Sequence, residues 1–323
     1  MGMLVNGVWT DDDGVRQTKD GAFVRPESAF RDRVTVDGSS GYPAEQGRYH
    51  LYCAVSCPWA HRTLIYRALK GLEDTISLTL VGPPEQQRSW EMTGLTGKYP
   101  DLVNGANFMF QVYTKAKPDY TGRVTVPVLW DKKTGRIVNN ESPEIIRMLN
   151  SEFNRFAKRD VQDLYPPELR ATIDEWNDLI YNTVNNGVYR AGFAIQQDKY
   201  EEAARGVFAT FDKLEAHLAS RRYICGKRLT EADLRLFPTL ARFDVAYHGH
   251  FKCNIRRLTD YPNLWAYTRD LYQLPGVGET VDLDAIRINY YRNQSKVNPS
   301  RVVAIGPRLD FRAPHGRAGL AGG

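Results

Sequence analysis

Long apolar stretches are missing from this chain: no uncharged hydrophobic run approaches the ~18 residues that a membrane-spanning helix requires. Apolar residues make up 42% of the 323 and charged residues 25%, with a mean hydropathy of −0.48, so a globular, soluble protein outside the membrane is expected. The opening MGMLVNGVWTDDDG has no basic stretch leading into an apolar core, which excludes a secretory leader of the usual form and makes the cytoplasm the expected location. Cysteine is scarce. Four in 323 residues are too few for a disulfide scaffold, and a reduced compartment follows, in which a conspicuous cysteine is a candidate for chemistry. Charge of one sign is not in large excess either: 43 Lys and Arg against 38 Asp and Glu give +5. That balance suits acidic small molecules and gives no basic patch for nucleic acid. No metal is expected, and there is no internal repeat.

What is present changes character once along the chain. Residues 1–46 form an irregular arm rich in Asp, Gly and Arg. From 47 to 160 the apolar runs are short: a strand at GRYHLYCAVS, a helix over 58–72, strands at ISLTLVG, VPVLWD and RIVNN, then a helix from Pro143. Strand–helix–strand followed by hairpin and helix is the thioredoxin-like α/β layout, with residues 84–123 inserted as a surface excursion or lid. The consecutive prolines Pro166 and Pro167 mark a boundary near residue 160. Residues 161–290 carry long stretches of helical period and predict an all-helical second domain. Within it, Thr230 and Asp233 have the spacing of a capping box. Residues 291–323 form a C-terminal tail whose Gly-, Arg- and Ala-rich last part is expected to be mobile.

The sharpest chemical feature is Ser56-Cys57-Pro58-Trp59-Ala60-His61-Arg62, where a strand hands over to a helix. A cysteine there faces unpaired backbone N–H groups and the positive end of the helix dipole, which favours its thiolate. Position 60 is Ala, so there is no Cys-x-x-Cys pair, and Cys53 precedes Cys57 inside a strand. A lone activated thiol must be regenerated from outside, which calls for a small thiol cosubstrate. Cys53, Cys225 and Cys253 are read as packing residues, and His61 as structural. The second constellation is Val126-Pro127 with Glu141-Ser142-Pro143. A proline opening the third strand of such a domain is commonly cis, leaving the Val126 N–H and C=O to pair with a peptide-like ligand. Ser142, at a helix start, suits a carboxylate, and Glu141 suits an ammonium group. In the helical half, 185–193 breaks the helical period with two asparagines and two glycines around Tyr189. Tyr290 and Tyr291 follow the last helix, and Trp90 lies in the excursion, either over the thiol or simply packed.

The motifs around Cys57, TVPVLWD, NNES, NNGVYRAGF, LTEADLRLF and DYPNLWAYTRDLYQ, together with the tail YYRNQSKVNPSRVVAIGP, resemble the Xi-class glutathione transferases, the glutathionyl-hydroquinone reductases, from about Leu4 to Pro307. The resemblance implies a thioredoxin-like N-terminal domain, an all-helical glutathione-transferase C-terminal domain and a homodimer. It also implies glutathione-dependent removal of glutathione from S-glutathionyl hydroquinones, by way of a mixed disulfide on Cys57. By the same resemblance Trp90, Val126, Glu141 and Ser142 bind glutathione, Arg123 is a lesser candidate, and Tyr189 and Tyr290 hold the hydroquinone. Asn289 and Gln294 stand where the family has histidines beside its paired tyrosines, and Ala304 where a proline is common. The surroundings of Trp90 also depart from the family pattern, which leaves another low-molecular-weight thiol, such as mycothiol, as an alternative cosubstrate. Two further readings stand beside this one: an omega-like dehydroascorbate or mixed-disulfide reductase, and a non-catalytic ligand-binding protein.

Overall fold

The computed structural model describes residues 2–11, 27–82, 89–92 and 100–320. These fall into two compact units, one ending at Val161 and the other running from Gln162. In chain order the first unit contains β1 (Met3–Val5), β2 (Val8–Thr10), β3 (Tyr49–Cys53), α1 (Pro58–Leu69), β4 (Ser77–Leu80), α2 (Met109–Ala116), β5 (Gly122–Arg123), β6 (Val128–Asp131), β7 (Arg136–Asn139) and α3 (Ser142–Ser151).

Its main sheet has the order β4-β3-β6-β7. β3 and β4 are parallel across the α1 crossover, and β6 and β7 are antiparallel neighbours. Every residue of β3 and β6 is buried, as expected of central strands covered on both faces. α1 and α3 pack together, bringing Ile65 and Leu69 to the same core as Ile145 and Leu149. This is the thioredoxin-like arrangement. At the start of the chain β1 and β2 form a hairpin whose turn residues, Asn6 and Gly7, take φ of 49° and 77°, the left-handed pair that an Asn-Gly turn supplies. β1 also pairs with β5. Residues 27–36 run beside α3: the Val34 N–H donates to the Met148 sulfur at 3.1 Å, and Arg31 pairs with Glu144.

The excursion at 84–123 is more than a surface loop where it is described. α2 folds within it and buries Met109, Val112 and Tyr113 completely. Three apolar positions on two turns, between Gly- and Pro-containing flanks, are too short a pattern to stand out in the sequence. Residues 83–88 and 93–99 of the excursion, and 12–26 of the arm, lie outside the described residues.

The second unit is helical: α4 (Arg170–Ile180), α5 (Gly187–Gly192), α6 (Gln197–Leu218), α7 (Glu231–Arg242), α8 (Pro262–Tyr272) and α9 (Leu283–Arg287). α6 is the long central element and packs against α5 and α8. α7 opens with the Thr230–Asp233 capping box, in which the Thr230 N–H donates to Asp233 Oδ2 at 2.8 Å. Three helices end in a π-helical turn: Tyr181–Asn185 after α4, Phe243–Tyr247 after α7 and Ile288–Arg292 after α9. In the tail, expected to be mobile at its end, Phe311 stacks on Tyr272 and Arg317 is buried. Among the described residues no helix is long and apolar enough to cross a membrane.

Candidate active site

Cys57 occupies the N-cap of α1, in extended conformation (φ −86°, ψ 119°), with Pro58 as the first helical residue. Proline costs nothing there, because the first helical N–H has no intrahelical partner. The Cys57 carbonyl accepts the His61 N–H at 2.9 Å, so the helix begins under the thiol. The side chain is partly exposed, and its sulfur lies 3.8 Å from the Val126 carbonyl oxygen. The thiol motif and the Val-Pro loop, 69 residues apart in sequence, are therefore neighbours in space. His61 is fully buried.

The Val126–Pro127 bond is cis. The Val126 N–H has no hydrogen bond among the described residues. On the far side of this loop stands the start of α3, where Glu141 is the N-cap and Ser142, 3% exposed, the first helical residue. Tyr113 ties the two together. Its hydroxyl donates to the Thr125 carbonyl at 2.9 Å and accepts from Thr125 N–H at 3.2 Å and from Asn140 Nδ2 at 3.0 Å. The residues before Val126 and before Glu141 thus share one phenol, so the loop and the helix start keep a fixed spacing. From the arm, the Ser28 hydroxyl donates to Glu141 Oε2 at 2.8 Å, and the Phe30 N–H donates to Asn140 Oδ1 at 3.1 Å. The Cys57 thiol, the Val126 main chain and the start of α3 at Glu141 and Ser142 are thus brought together within the first unit. Tyr113 and Ser28 escape a reading of the sequence because they act through partners more than ten residues distant; Asn140 stands in the sequence beside Glu141 and Ser142, but its link to Tyr113 does not show there.

Trp90 is half-buried, between the end of the β4 segment and the start of α2. Its carbonyl accepts the Met109 N–H at 2.9 Å, and the next residue, Glu91, exchanges main-chain hydrogen bonds with Gly82. Arg123 pairs with Met3 across β1 and β5, and its carbonyl accepts the Tyr120 hydroxyl.

Tyr189 and Tyr290 belong to the second unit, where they meet: their hydroxyl oxygens are 2.6 Å apart. A third phenol, Tyr247, lies 2.9 Å from Tyr290. The rings of Phe193 and Phe251 pack around them. Burial holds the Tyr247 and Tyr290 hydroxyls protonated well above the usual phenol range, so they act as donors throughout ordinary pH. Gln294, one of the two residues expected from the resemblance to stand in place of a family histidine, pairs with His250 at 3.0 Å.

The other thiols are placed differently. Cys53 is fully buried and donates to the Ala60 carbonyl at 3.1 Å. Burial pushes Cys225 up to about 11 and Cys253 up to about 12. None of the four cysteines is in a disulfide. Among the described residues no group of three His, Cys, Asp or Glu side chains is placed to hold a metal ion.

Comparison with known proteins agrees with this fold. The family described as "Glutathione S-transferase, N-terminal domain" matches residues 56–152, and "Glutathione S-transferase, C-terminal domain" matches 197–270. Glutathionyl-hydroquinone reductase YqjG of Escherichia coli K12 is 49% identical over 327 residues, 98% of each chain. The structure of a Xi class GST from Natrialba magadii superposes with a TM-score of 0.92 at 48% identity, covering 100% of this chain and 98% of that one. The glutathione-bound structure of YqjG superposes at 0.89 with 47% identity, covering 98% and 99%. The chain belongs to the glutathionyl-hydroquinone reductases, the Xi class of glutathione transferases.

Proposed function

We propose that this protein, a cytoplasmic homodimer, reduces S-glutathionyl hydroquinones to hydroquinones with glutathione as the co-reductant, through a mixed disulfide on Cys57. The observation that carries this is the partly exposed Cys57 sulfur at the start of α1, beside the Val126 carbonyl. The relatives support the choice of thiol and substrate, one being named for that reaction and having a structure with glutathione bound.

An aryl thioether resists a thiolate until the ring tautomerises to a ketone, whose α-carbon then bears the sulfur. The Cys57 thiolate attacks that sulfur. The S–S bond forms, the C–S bond breaks, and its electron pair leaves as an enolate that is already the aromatic hydroquinone anion, the carbon having gained its hydrogen in the tautomerisation, and that takes a proton on oxygen. A second glutathione thiolate attacks the mixed disulfide, releasing glutathione disulfide and the Cys57 thiolate. The ring gains two electrons, and two glutathione sulfurs are oxidised to one disulfide. Glu141 receives the glutathione ammonium group, Val126 its peptide edge and Ser142 its γ-glutamyl carboxylate, while Trp90 lines the thiol subsite. Tyr189 and Tyr290 donate to the oxygen on which negative charge develops.

The test is turnover of glutathionyl-menadiol with glutathione, followed by formation of menadiol and glutathione disulfide. Cys57→Ser is expected to lose at least ~10³-fold in kcat, as removal of a nucleophile does. Iodoacetamide at neutral pH should modify Cys57 before Cys225 and Cys253, whose thiols burial holds protonated. Unimpaired turnover by Cys57→Ser would refute the reading.

A further inference from the structure

Tyr113 on α2 is 0% exposed and packs between the rings of Phe30 and Tyr120, a place that a phenylalanine would fill as well. What a phenylalanine lacks is the oxygen. A phenol has one proton to give and two lone pairs to receive with. All three are used: the proton goes to the Thr125 carbonyl, and the lone pairs take the Thr125 N–H and Asn140 Nδ2. The Thr125 hydroxyl, 3.2 Å from the phenol oxygen and 3.4 Å from Asn140 Nδ2, closes the group. Burial raises the Tyr113 hydroxyl above the usual phenol range, so its proton stays in place at ordinary pH.

Each partner stands one residue before a group assigned to glutathione. The Thr125 carbonyl and the Val126 N–H belong to one peptide unit, which is planar and trans, so the two point in opposite directions. Fixing the carbonyl on Tyr113 therefore aims the Val126 N–H away from the phenol. At the other loop, Asn140 is 5% exposed and is clamped from the arm as well: its Oδ1 accepts the Phe30 N–H, and its own N–H donates to the Phe30 carbonyl, both at 3.1 Å. Glu141 and Ser142 follow it directly at the start of α3. One oxygen thus sets both the direction of the Val126 N–H and its separation from that helix start. All of these residues lie in the first unit.

Resting on the reading that Val126, Glu141 and Ser142 hold glutathione, we infer that Tyr113 is a positioning residue for that ligand: its hydroxyl aims the Val126 N–H at the peptide edge of the tripeptide and keeps it at a fixed distance from the seat of the γ-glutamyl end. Being buried, the phenol acts only through Thr125 and Asn140. A ligand that must meet two anchors at once binds more tightly when their spacing is set beforehand. Without the phenol, the Thr125–Val126 unit regains rotation about its flanking dihedrals that binding then has to remove. The contribution is to affinity for the glutathione portion, so it falls equally on free glutathione and on the conjugate. The main chain of Cys57 is held by other groups, its N–H on the Ala54 carbonyl and its carbonyl on the His61 N–H, so the reactivity of the thiol does not depend on the phenol.

Tyr113→Phe removes one oxygen and keeps the ring. The probe is S-methylglutathione, whose blocked sulfur leaves the peptide edge and the γ-glutamyl end intact. The readout is how far it protects Cys57 from iodoacetamide, followed by mass spectrometry of the Cys57 peptide. The concentration giving half protection is expected to rise about tenfold in the variant, while the rate of modification without ligand stays within about twofold of the wild type. KM for glutathionyl-menadiol should rise in step at nearly constant kcat, the pattern of lost uniform binding. An unchanged half-protection concentration overturns the inference, and so does a large change in the unprotected rate, which would mark a general loosening of the unit. If Tyr113→Phe does not fold, Asn140→Ala decides: it cuts the tie at the α3 end and leaves Tyr113 on Thr125, and half protection at the wild-type concentration overturns the inference. Failure of the underlying reading shows differently: S-methylglutathione then gives the wild type no protection, or Glu141→Gln leaves the half-protection concentration unchanged.

Discussion

The His50 ring on β3 has Nδ1 2.7 Å from the Ser77 hydroxyl and Nε2 2.9 Å from that of Thr79, and the residue is 2% exposed. A neutral imidazole has one donor and one acceptor nitrogen, and two hydroxyls satisfy both. Burial brings the ring down to about 4, below the ~6.5 of an unfolded histidine. The unfolded chain therefore takes up the proton first. Stability from the neutral ring is complete above ~6.5 and drains away as pH falls toward ~4, by about 2 kcal/mol between pH 7 and pH 5. Urea unfolding of the wild type and of His50→Gln at pH 7, 6 and 5 should give a steeper loss in the wild type; parallel curves would remove His50 as the cause. At this scale the sequence was readable where chemistry follows from local position. Cys57 stands out because a helix start and Pro58 flank it. His50 does not, because its partners come from a neighbouring strand whose register no local pattern reveals.

α5 shows what an element adds to its residues. The 185–193 segment reads as a break in helical period, and the structure resolves that break into a π-helical turn followed by a short helix. Why Gly192 ends that helix becomes clear only in the folded unit: a Cβ built there would lie 2.2 Å from ring carbons of Phe251. Phe251 in turn touches Tyr189, Tyr247 and Tyr290. Helix propensity alone would favour Gly192→Ala by ~1 kcal/mol. Overpacking a filled interior costs about 1–3 kcal/mol, so the clash decides the sign. Gly192→Ala is expected to lower the urea midpoint and, by displacing Phe251, to lower kcat on the conjugate; a stabilised variant would show that Phe251 yields freely. The same limit applies to α2. A helix of eight residues is legible only once its Tyr113 is seen holding Thr125 and Asn140.

Over the whole chain, the order of strands and helices and the thioredoxin-like sheet were legible, because hydrophobic period and turn residues report them directly. Contacts between distant segments were not, and the tail illustrates why. Its Gly-, Arg- and Ala-rich composition points to a mobile segment, yet Phe311, Ala313 and Arg317 tie it to the second unit. Phe311 stacks on Tyr272 at 4.9 Å and meets Trp265 edge-on at 5.1 Å, and Gln273 Nε2 donates to the carbonyls of Phe311 and Ala313. Arg317, 2% exposed, donates to the carbonyls of Leu218, Arg221 and Arg222. These lie at or just past the C-terminus of α6, where the last turn of a helix leaves carbonyls without intrahelical partners and a cation is favoured by the dipole. A residue almost a hundred positions away thus completes the central helix of the unit. Arg317→Ala leaves those carbonyls in a buried site without their donor, at a cost of about 2 kcal/mol, equivalent to a fall in Tm of roughly 6 °C for a unit of this size. Arg317→Lys retains charge but replaces the planar fork with a single ammonium group, and should recover only part of the loss. Calorimetry of the two variants beside the wild type checks the ranking; equal melting of all three would reduce the tail to a passive covering.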